Sequence, residues 1–429
     1  MNHWYPFAQM IKLHVFGRIS EADARRQQCT AEEILRRLTD QPGLVLADEV
    51  GMGKTFVALA VATSVALSDS QRRPVVVMVP PNLKEKWPQD FEVFNARCLP
   101  PEAACRVRAA SADSAVEFLK LLDDPEERRK SIIFLTHGAM HRGLGFGSSD
   151  SWIKLAVIQR ALRGRHNTGT IRTSLYRCLG KLLWLQWVER RAEGIWERLL
   201  DHSPDEWLKI LKRHGVDPAG DAKPDTDDEP VPKSVIEVLH DYDTTEVYRV
   251  LQDIPLRQSA TYDDRVAAAR RFLTEELKKV WRQCLTSLTF KLPLLVMDEA
   301  HHLKNTETRL AGLFQNPDAK DEVEEITRGA LGGIFERMLF LTATPFQLGH
   351  HELCSVLERF EGIAWDSPTA PRAGRDAFRQ QIRELRERLD AAQNAALNLD
   401  DAWGKLRPDD LVYNCALLNR HYGQQNCAT

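Results

Sequence analysis

No stretch of the 429-residue chain approaches the ~18 consecutive apolar residues that a membrane-crossing helix needs, so a membrane protein is not expected. The eight cysteines, Cys29, Cys98, Cys105, Cys178, Cys284, Cys354, Cys415 and Cys427, never form a CxxC pair. That argues against zinc-ribbon and dithiol redox chemistry and predicts free thiols in a reducing compartment. Charge of neither sign dominates: Lys plus Arg number 58 and Asp plus Glu 61, a formal net charge of −3. Any contact with nucleic acid must therefore come from a local patch rather than from overall attraction. Met1 is followed by His3, Trp4 and Tyr5 instead of a basic segment and an apolar stretch, which predicts no secretory signal and a cytoplasmic protein. A convincing internal repeat is also missing.

What remains is an ordinary globular composition, 43% hydrophobic and 28% charged, in a chain longer than one typical domain. Five short apolar runs read as buried parallel strands with polar or small residues at their C-terminal ends: GLVLADE from Gly43, VVVMVPP from Val75, SIIFLTH from Ser131, LLVMDEA from Leu294 and MLFLTAT from Met338. Helical patterns follow several of them, so the favoured fold is α/β with a doubly wound parallel sheet, whose ligands sit beyond the carboxyl ends of the strands. The third and fourth runs lie too far apart for one crossover helix. Residues 1–150 are expected to begin the sheet lobe, 151–290 to form a helical insertion with an acidic, Pro-rich loop from Val216, and 291–365 to complete the lobe. Residues 366–429 form a helical extension, its clearest helical pattern running from Asp376 to Leu397.

The strongest chemical signal is LADEVGMGKT, Leu46 to Thr55, where a strand turns through glycines into a helix. Backbone amides around Gly51, Met52 and Gly53 would cradle phosphate oxygens, Lys54 would meet the β- and γ-phosphates of ATP, and Thr55 would ligate magnesium. Asp48 stands where GxxxxGK[ST] has its first Gly, and a lone GKT can also be a tight turn. The fourth run ends in DEAH, Asp298 to His301. Asp298 would hold magnesium and Glu299 would orient the attacking water, whereas a single acidic strand end reads equally as a solvated cap. The two motifs are expected at the ends of neighbouring strands.

With these motifs in hand, the chain resembles the SWI/SNF-type DNA translocases of helicase superfamily two. Their nucleotide loop reads DExGxGKT, which accommodates Asp48 and Glu49. VPPNLKEKWPQDF from Val79 looks like the family's motif Ia, DEAHHLKN from Asp298 like motif II and LTATPFQ from Leu341 like motif III. The resemblance implies a RecA-like P-loop lobe that binds ATP and magnesium and acts on double-stranded DNA. It implies that Gln27 or Gln28 reads adenine, that His301 bridges the hydrolytic site to motif III, and that Thr342, Ala343 and Thr344 couple nucleotide state to DNA grip. It also implies that Pro80, Asn82, Lys84, Lys86, Thr136 and His137 approach the DNA backbone.

Nothing after Gln347 resembles the family's motifs IV to VI, so the second RecA-like lobe with its arginine finger is expected from a missing C-terminal part or a partner protein. An arginine finger contributes about a thousandfold to a hundred-thousandfold in rate, so weak hydrolysis is expected of the chain alone. Alternatives are a non-catalytic, ATP-gated DNA-binding or scaffold subunit of a bacterial defence or restriction complex, and a strand-separating helicase. Within the insertion, Lys and Arg outnumber Asp and Glu between Ser151 and Gly215, and Trp152, Arg160, Arg163, Trp184, Trp187, Arg190, Arg191 and Trp196 recur at helical spacing. This is either a modest DNA grip or an amphipathic module with core tryptophans. GLGFG at Gly143 lacks a strand-to-helix setting, and HHELC at His350 lacks HExxH spacing.

Overall fold

Six parallel strands form one sheet: β1 Gly43–Ala47, β2 Val75–Val79, β3 Ala109–Ala112, β4 Ile132–Thr136, β5 Leu292–Met297 and β6 Phe335–Thr342, in the spatial order β1-β6-β5-β2-β4-β3. This computed structural model describes residues 4–48, 51–144, 150–183, 194–216, 228–303, 331–342 and 350–405. The expectation of a parallel α/β sheet is met. Two details differ from the sequence reading. The glycine-loop strand β1 and the acidic strand β5 are not neighbours, because β6 pairs with both. The edge strand β3, Ala-Ala-Ser-Ala, went unanticipated because only Ala112 is buried and its small residues carry no strand-like apolar signal.

The four inner strands β2, β4, β5 and β6 are buried at every position, which is why they read as continuous apolar runs. Successive residues enter opposite cores. Along β2, Val75, Val77 and Val79 join one cluster while Val76 and Met78 join the other, and on β4 Ile132 and Phe134 oppose Ile133 and Leu135. The first cluster is closed by α1 Glu21–Leu38, α2 Lys54–Ser68 and α3 Lys86–Cys98, together with Phe7, Ile11 and Leu13 of the N-terminal segment. The short α4, Pro101–Ala104, leads from this layer to β3.

The opposite face carries α5 Ala115–Asp123 and α6 His137–Arg142. Among the described residues it continues into seven further helices before β5: α7 Asp150–Leu162, α8 Gly169–Leu183, α9 Ile195–Asp201, α10 Trp207–Arg213, α11 Lys233–Asp241, α12 Thr245–Gln252 and α13 Tyr262–Thr286. These helices have no separate core; their apolar residues form one continuous cluster with α5 and the second sheet face. Trp152, Trp196 and Trp207 lie inside it, with the Trp152 and Trp207 rings 6.3 Å apart. Arg160 donates to the carbonyl oxygens of Leu239 and His240 at 2.7 and 2.5 Å, closing the C-terminal end of α11. The described tryptophans of the insertion therefore pack rather than face nucleic acid, and Arg160 is spent on a helix end. Trp184, Trp187, Arg190 and Arg191 lie outside the described residues.

After β6 come α14 His350–Glu358, a 3-10 turn over Arg359–Gly362, and α15 Gly374–Gly404. Phe378, Ile382, Leu385, Leu389, Ala392, Ala396, Leu399 and Trp403 alternate spacings of four and three along α15, the pattern of a helix-pairing seam. Its first half packs back on the molecule. Phe378 lies 6.0 Å from the Trp365 ring, and Arg386 pairs with Glu358 at 2.6 Å. From residue 391 to 405 every position is exposed, including Leu399 and Trp403.

At the N-terminal edge of the sheet two buried arginines bind the layers together. Arg73 pairs with Asp69 at 2.8 Å and with Glu336 at 2.7 Å, and donates to Tyr5 Oη at 2.7 Å. Arg337, fully buried, donates to the carbonyl oxygens of Leu38, Thr39 and Thr369, so it ties the end of α1 to β6 and to the segment before α15. Among the described residues no helix is long and apolar enough to cross a membrane.

Candidate functional site

Because all six strands run the same way, their C-terminal ends share one edge of the sheet, and the motif residues gather there. Ala47 is paired with Thr342, Met297 with Phe340 and with Met78, and Val79 with Thr136. The loop after β1, the acidic turn after β5, the end of β6 and the segment after β2 are thus level with one another. β1 and β5 lie two strand spacings apart, ~10 Å.

The loop after β1 turns into α2 through Gly51 and Gly53, with φ of 88° and 84°, a left-handed backbone that glycine adopts without steric cost. Gly53 is the N-cap of α2. Its N-cap glycine has no side chain to cap the helix and its first turn holds no acidic residue, so the positive end of its dipole is uncompensated from within the helix. Lys54 and Thr55 open the helix and are half-buried, while Gly51 and Met52 are exposed. Lys54 Nζ donates to the Asp48 carbonyl oxygen at 2.6 Å. From α1, Arg26 donates to the Met52 carbonyl at 2.7 Å and to Asp48 Oδ2 at 3.3 Å, bracing the same loop from its other side. Arg26 carries no motif, and only its position one residue before Gln27 connects it to the site.

The two glutamines of α1 part company. Gln27 is 5% exposed, its Oε1 has no hydrogen-bond partner among the described residues, and a Cβ added at Gly53 would lie 2.2 Å from its Nε2. Gln28 turns along the helix and donates to Glu32 Oε1 at 2.9 Å. The structure therefore brings Gln27, and not Gln28, against the glycine loop.

Asp298 follows β5 directly, and its amide donates to the Met78 carbonyl at 2.9 Å. Both carboxylate oxygens are held: Trp87 Nε1 donates to Oδ2 at 2.9 Å and the Glu299 amide to Oδ1 at 2.9 Å. Trp87 is 2% exposed and comes from the first turn of α3, so the segment after β2 reaches the acidic turn through its indole. Sequence reasoning passed over Trp87. The available signal was a tryptophan inside an otherwise polar segment, whose buried N–H needs an acceptor. Glu299 has φ of 52°, a conformation uncommon for a side-chain-bearing residue, and its Oε2 lies 3.1 Å from His301 Nδ1. Backbone strain of this kind is concentrated at functional turns.

Thr342, the last residue of β6, is buried at the same edge; Ala343 and Thr344 lie outside the described residues. Of the side chains expected at a DNA backbone, Asn82 and Lys86 are exposed, and Lys84 is paired with Asp113 at 2.7 Å. Pro80, Thr136 and His137 are buried, which removes them from such a surface. Thr136 instead serves as the N-cap of α6, its Oγ1 accepting from the Ala139 amide at 3.2 Å. A threonine at the end of a strand reads as a surface hydroxyl until the helix it caps is seen. Among the described residues no group of three or more His, Cys, Asp or Glu side chains is placed to hold a metal ion. No family model and no curated protein matches the chain.

Proposed function

We propose that the chain is the ATP-binding, RecA-like P-loop lobe of a SWI/SNF-like, DNA-dependent ATPase that translocates on duplex DNA, with hydrolysis completed by a second lobe. The observation that carries this reading is the convergence at one sheet edge of a glycine loop ending in Lys54, an oriented Asp298 with Glu299 beside it, and the buried Gln27 against Gly53, its Oε1 without a hydrogen-bond partner among the described residues.

The residues fit a magnesium nucleotide. The first turn of α2, with glycine at its N-cap, offers amides and a favourable dipole to phosphate, with Lys54 as the neutralising charge. Gly53 admits the close approach that any side chain there would block. Gln27 Oε1 supplies an acceptor for an amino group of the base. Thr55 and Asp298 would hold the ion, and Trp87 keeps the Asp298 carboxylate aimed. Bound magnesium supplies charge neutralisation across the transferred phosphate. Magnesium sites completed by substrate phosphates and water need only one or two protein carboxylates, so the lack of a three-ligand cluster among the described residues is no obstacle. Glu299 is the group suited to orient the attacking water, with the His301 ring beside its carboxylate.

Exposed Asn82 and Lys86 support a DNA contact beside the same edge. The exposed half of the α15 seam, Leu399 and Trp403 included, supports docking of further helical structure such as that leading to a second lobe. The test is ATP titration of the purified chain with magnesium, followed by steady-state hydrolysis with and without duplex DNA. Magnesium-dependent binding with slow turnover is expected. Absence of binding would overturn the nucleotide reading, and rapid DNA-stimulated hydrolysis by the chain alone would overturn the need for a second lobe.

A further inference from the structure

The opposite edge of the sheet carries a second concentration of positive charge that the proposed nucleotide site does not use. A cleft of about 480 Å³ opens there between the turn after α2, the loop before β3 and the loop before β4. Five arginines line it: Arg72, Arg73, Arg106, Arg108 and Arg129. Arg73 is neutralised by Asp69 and Glu336. The other four have no carboxylate partner among the described residues. Arg108 donates to the backbone carbonyls of Glu127 and Arg129, at 2.6 and 3.4 Å. Arg129 donates to the Gln71 carbonyl at 3.4 Å and stacks over Phe290 at 4.5 Å, and its buried Nε has no hydrogen-bond partner among the described residues. Arg72 and Arg106 are exposed at the rim. Glu127 and Asp69 are the acidic side chains of the lining, and Asp69 is already bound to Arg73 and Tyr5.

The backbone adds an independent observation. Arg72 has φ of 50°, a left-handed conformation that is strained for a side-chain-bearing residue and that glycine would adopt freely. The turn is fixed in this shape by Asp69, whose carbonyl accepts from the Arg72 amide at 3.2 Å and whose Oδ2 accepts from the Arg73 amide at 2.7 Å. A strained turn thus holds a guanidinium at the cleft mouth, with the buried Asp69–Arg73–Glu336 network as its foundation.

We propose that this cleft is a second anion site that binds a small molecule carrying two or more phosphates. The fork of a guanidinium matches phosphate oxygens, and four such groups without carboxylate partners in one cleft favour a polyanion over a single carboxylate. The volume is that of a small-ligand site, and walls on three sides suit a compact ligand better than a duplex backbone. The source is either inorganic oligophosphate or the phosphate tail of a free nucleotide. This site is separate from Lys54 and stands whether or not the proposed nucleotide site does.

The test uses the full chain carrying Lys54→Ala, so that the sheet-edge site does not contribute, and inorganic pyrophosphate as the probe. Cys105 lines the cleft and is exposed, whereas Cys29 is exposed on α1. Pyrophosphate is expected to slow alkylation of Cys105, mapped by peptide mass, without changing Cys29, and to bind with one-to-one stoichiometry by calorimetry. Replacing the rim arginines, Arg72→Gly with Arg106→Ala, is expected to weaken binding roughly tenfold or more and to remove the protection. Glycine suits the left-handed turn, so this variant keeps its melting temperature. Protection by ATP in place of pyrophosphate identifies the nucleotide as the source, and protection by both identifies the shared phosphate chemistry. Three results would overturn the proposal: no protection by either ligand, protection that survives the arginine changes, or protection by duplex DNA alone.

Discussion

The Trp87 indole N–H donates to Asp298 Oδ2 at 2.9 Å, joining residues 211 positions apart in the chain. Removing only that donor should expose its role. Trp87→Phe keeps an aromatic ring among Phe91 and Phe134 but leaves one carboxylate oxygen without its buried partner. A hydrogen bond to a charged group contributes ~1.5–3 kcal/mol, so the urea midpoint should fall by a corresponding amount. If Asp298 holds magnesium, the same variant weakens binding of magnesium ATP more than binding of ATP in EDTA. Equal effects on the two would remove Trp87 from the metal side of the site.

Gly53 should tolerate no side chain. An added methyl meets Gln27 Nε2 at 2.2 Å, and the φ of 84° disfavours alanine by ~1–2 kcal/mol. Gly53→Ala is therefore expected to lower stability and to weaken ATP binding about tenfold or more. Adding Gln27→Ala relieves the overlap but not the backbone cost, so the pair should recover stability in part and binding not at all. Full recovery of binding by the double variant would exclude Gln27 from the nucleotide site.

Arg337 anchors α1 to the sheet through carbonyl groups, and burial brings its guanidinium down to about 10. Arg337→Met leaves the Leu38, Thr39 and Thr369 carbonyls without this donor, at an expected cost of ~2–4 kcal/mol in urea unfolding. Amide hydrogen exchange in the last turn of α1 should quicken. Unchanged exchange there would show that the packing of α1 on α2 suffices.

Alkaline pH should destabilise the fold through its buried thiols. Burial pushes Cys98 and Cys178 up from an ordinary value of 9.0 to about 11, and Cys284 moves in the same direction. Raised folded values mean that the stability is fully present below pH 9 and is lost as pH rises through about 11. The slope is ~1.4 kcal/mol per pH unit for each thiol. Chemical denaturation between pH 8 and 11 checks this; the Cys98→Ala, Cys178→Ala pair should flatten the profile.

Much of the sheet was legible because its four inner strands, β2, β4, β5 and β6, carry runs of Val, Leu, Ile, Met and Phe, a pattern that burial on both faces demands, and the edge strand β1 adds Leu-Val-Leu. Strand order was not, since nothing in the β6 residues announces that they pair with both β1 and β5. β3 was invisible for a simpler reason: three alanines and a serine at the sheet edge carry little apolar signal. At the candidate site, motif spacing located Lys54 and Asp298. It did not foresee that Trp87 and Arg26 would brace them, because those contacts depend on how α1 and α3 pack. The tryptophans of the insertion illustrate the converse. Their helical spacing fits a base-stacking surface and a core equally, and the continuous apolar cluster around Trp152, Trp196 and Trp207 decides for the core.

The most direct test of the nucleotide site is isothermal calorimetry of ATP with magnesium against the wild-type chain, Lys54→Ala and Asp298→Asn. The account predicts one site in the wild type and a loss of affinity of at least about tenfold in each variant, with Asp298→Asn sparing ATP binding in EDTA. Wild-type affinity retained in both variants would contradict it.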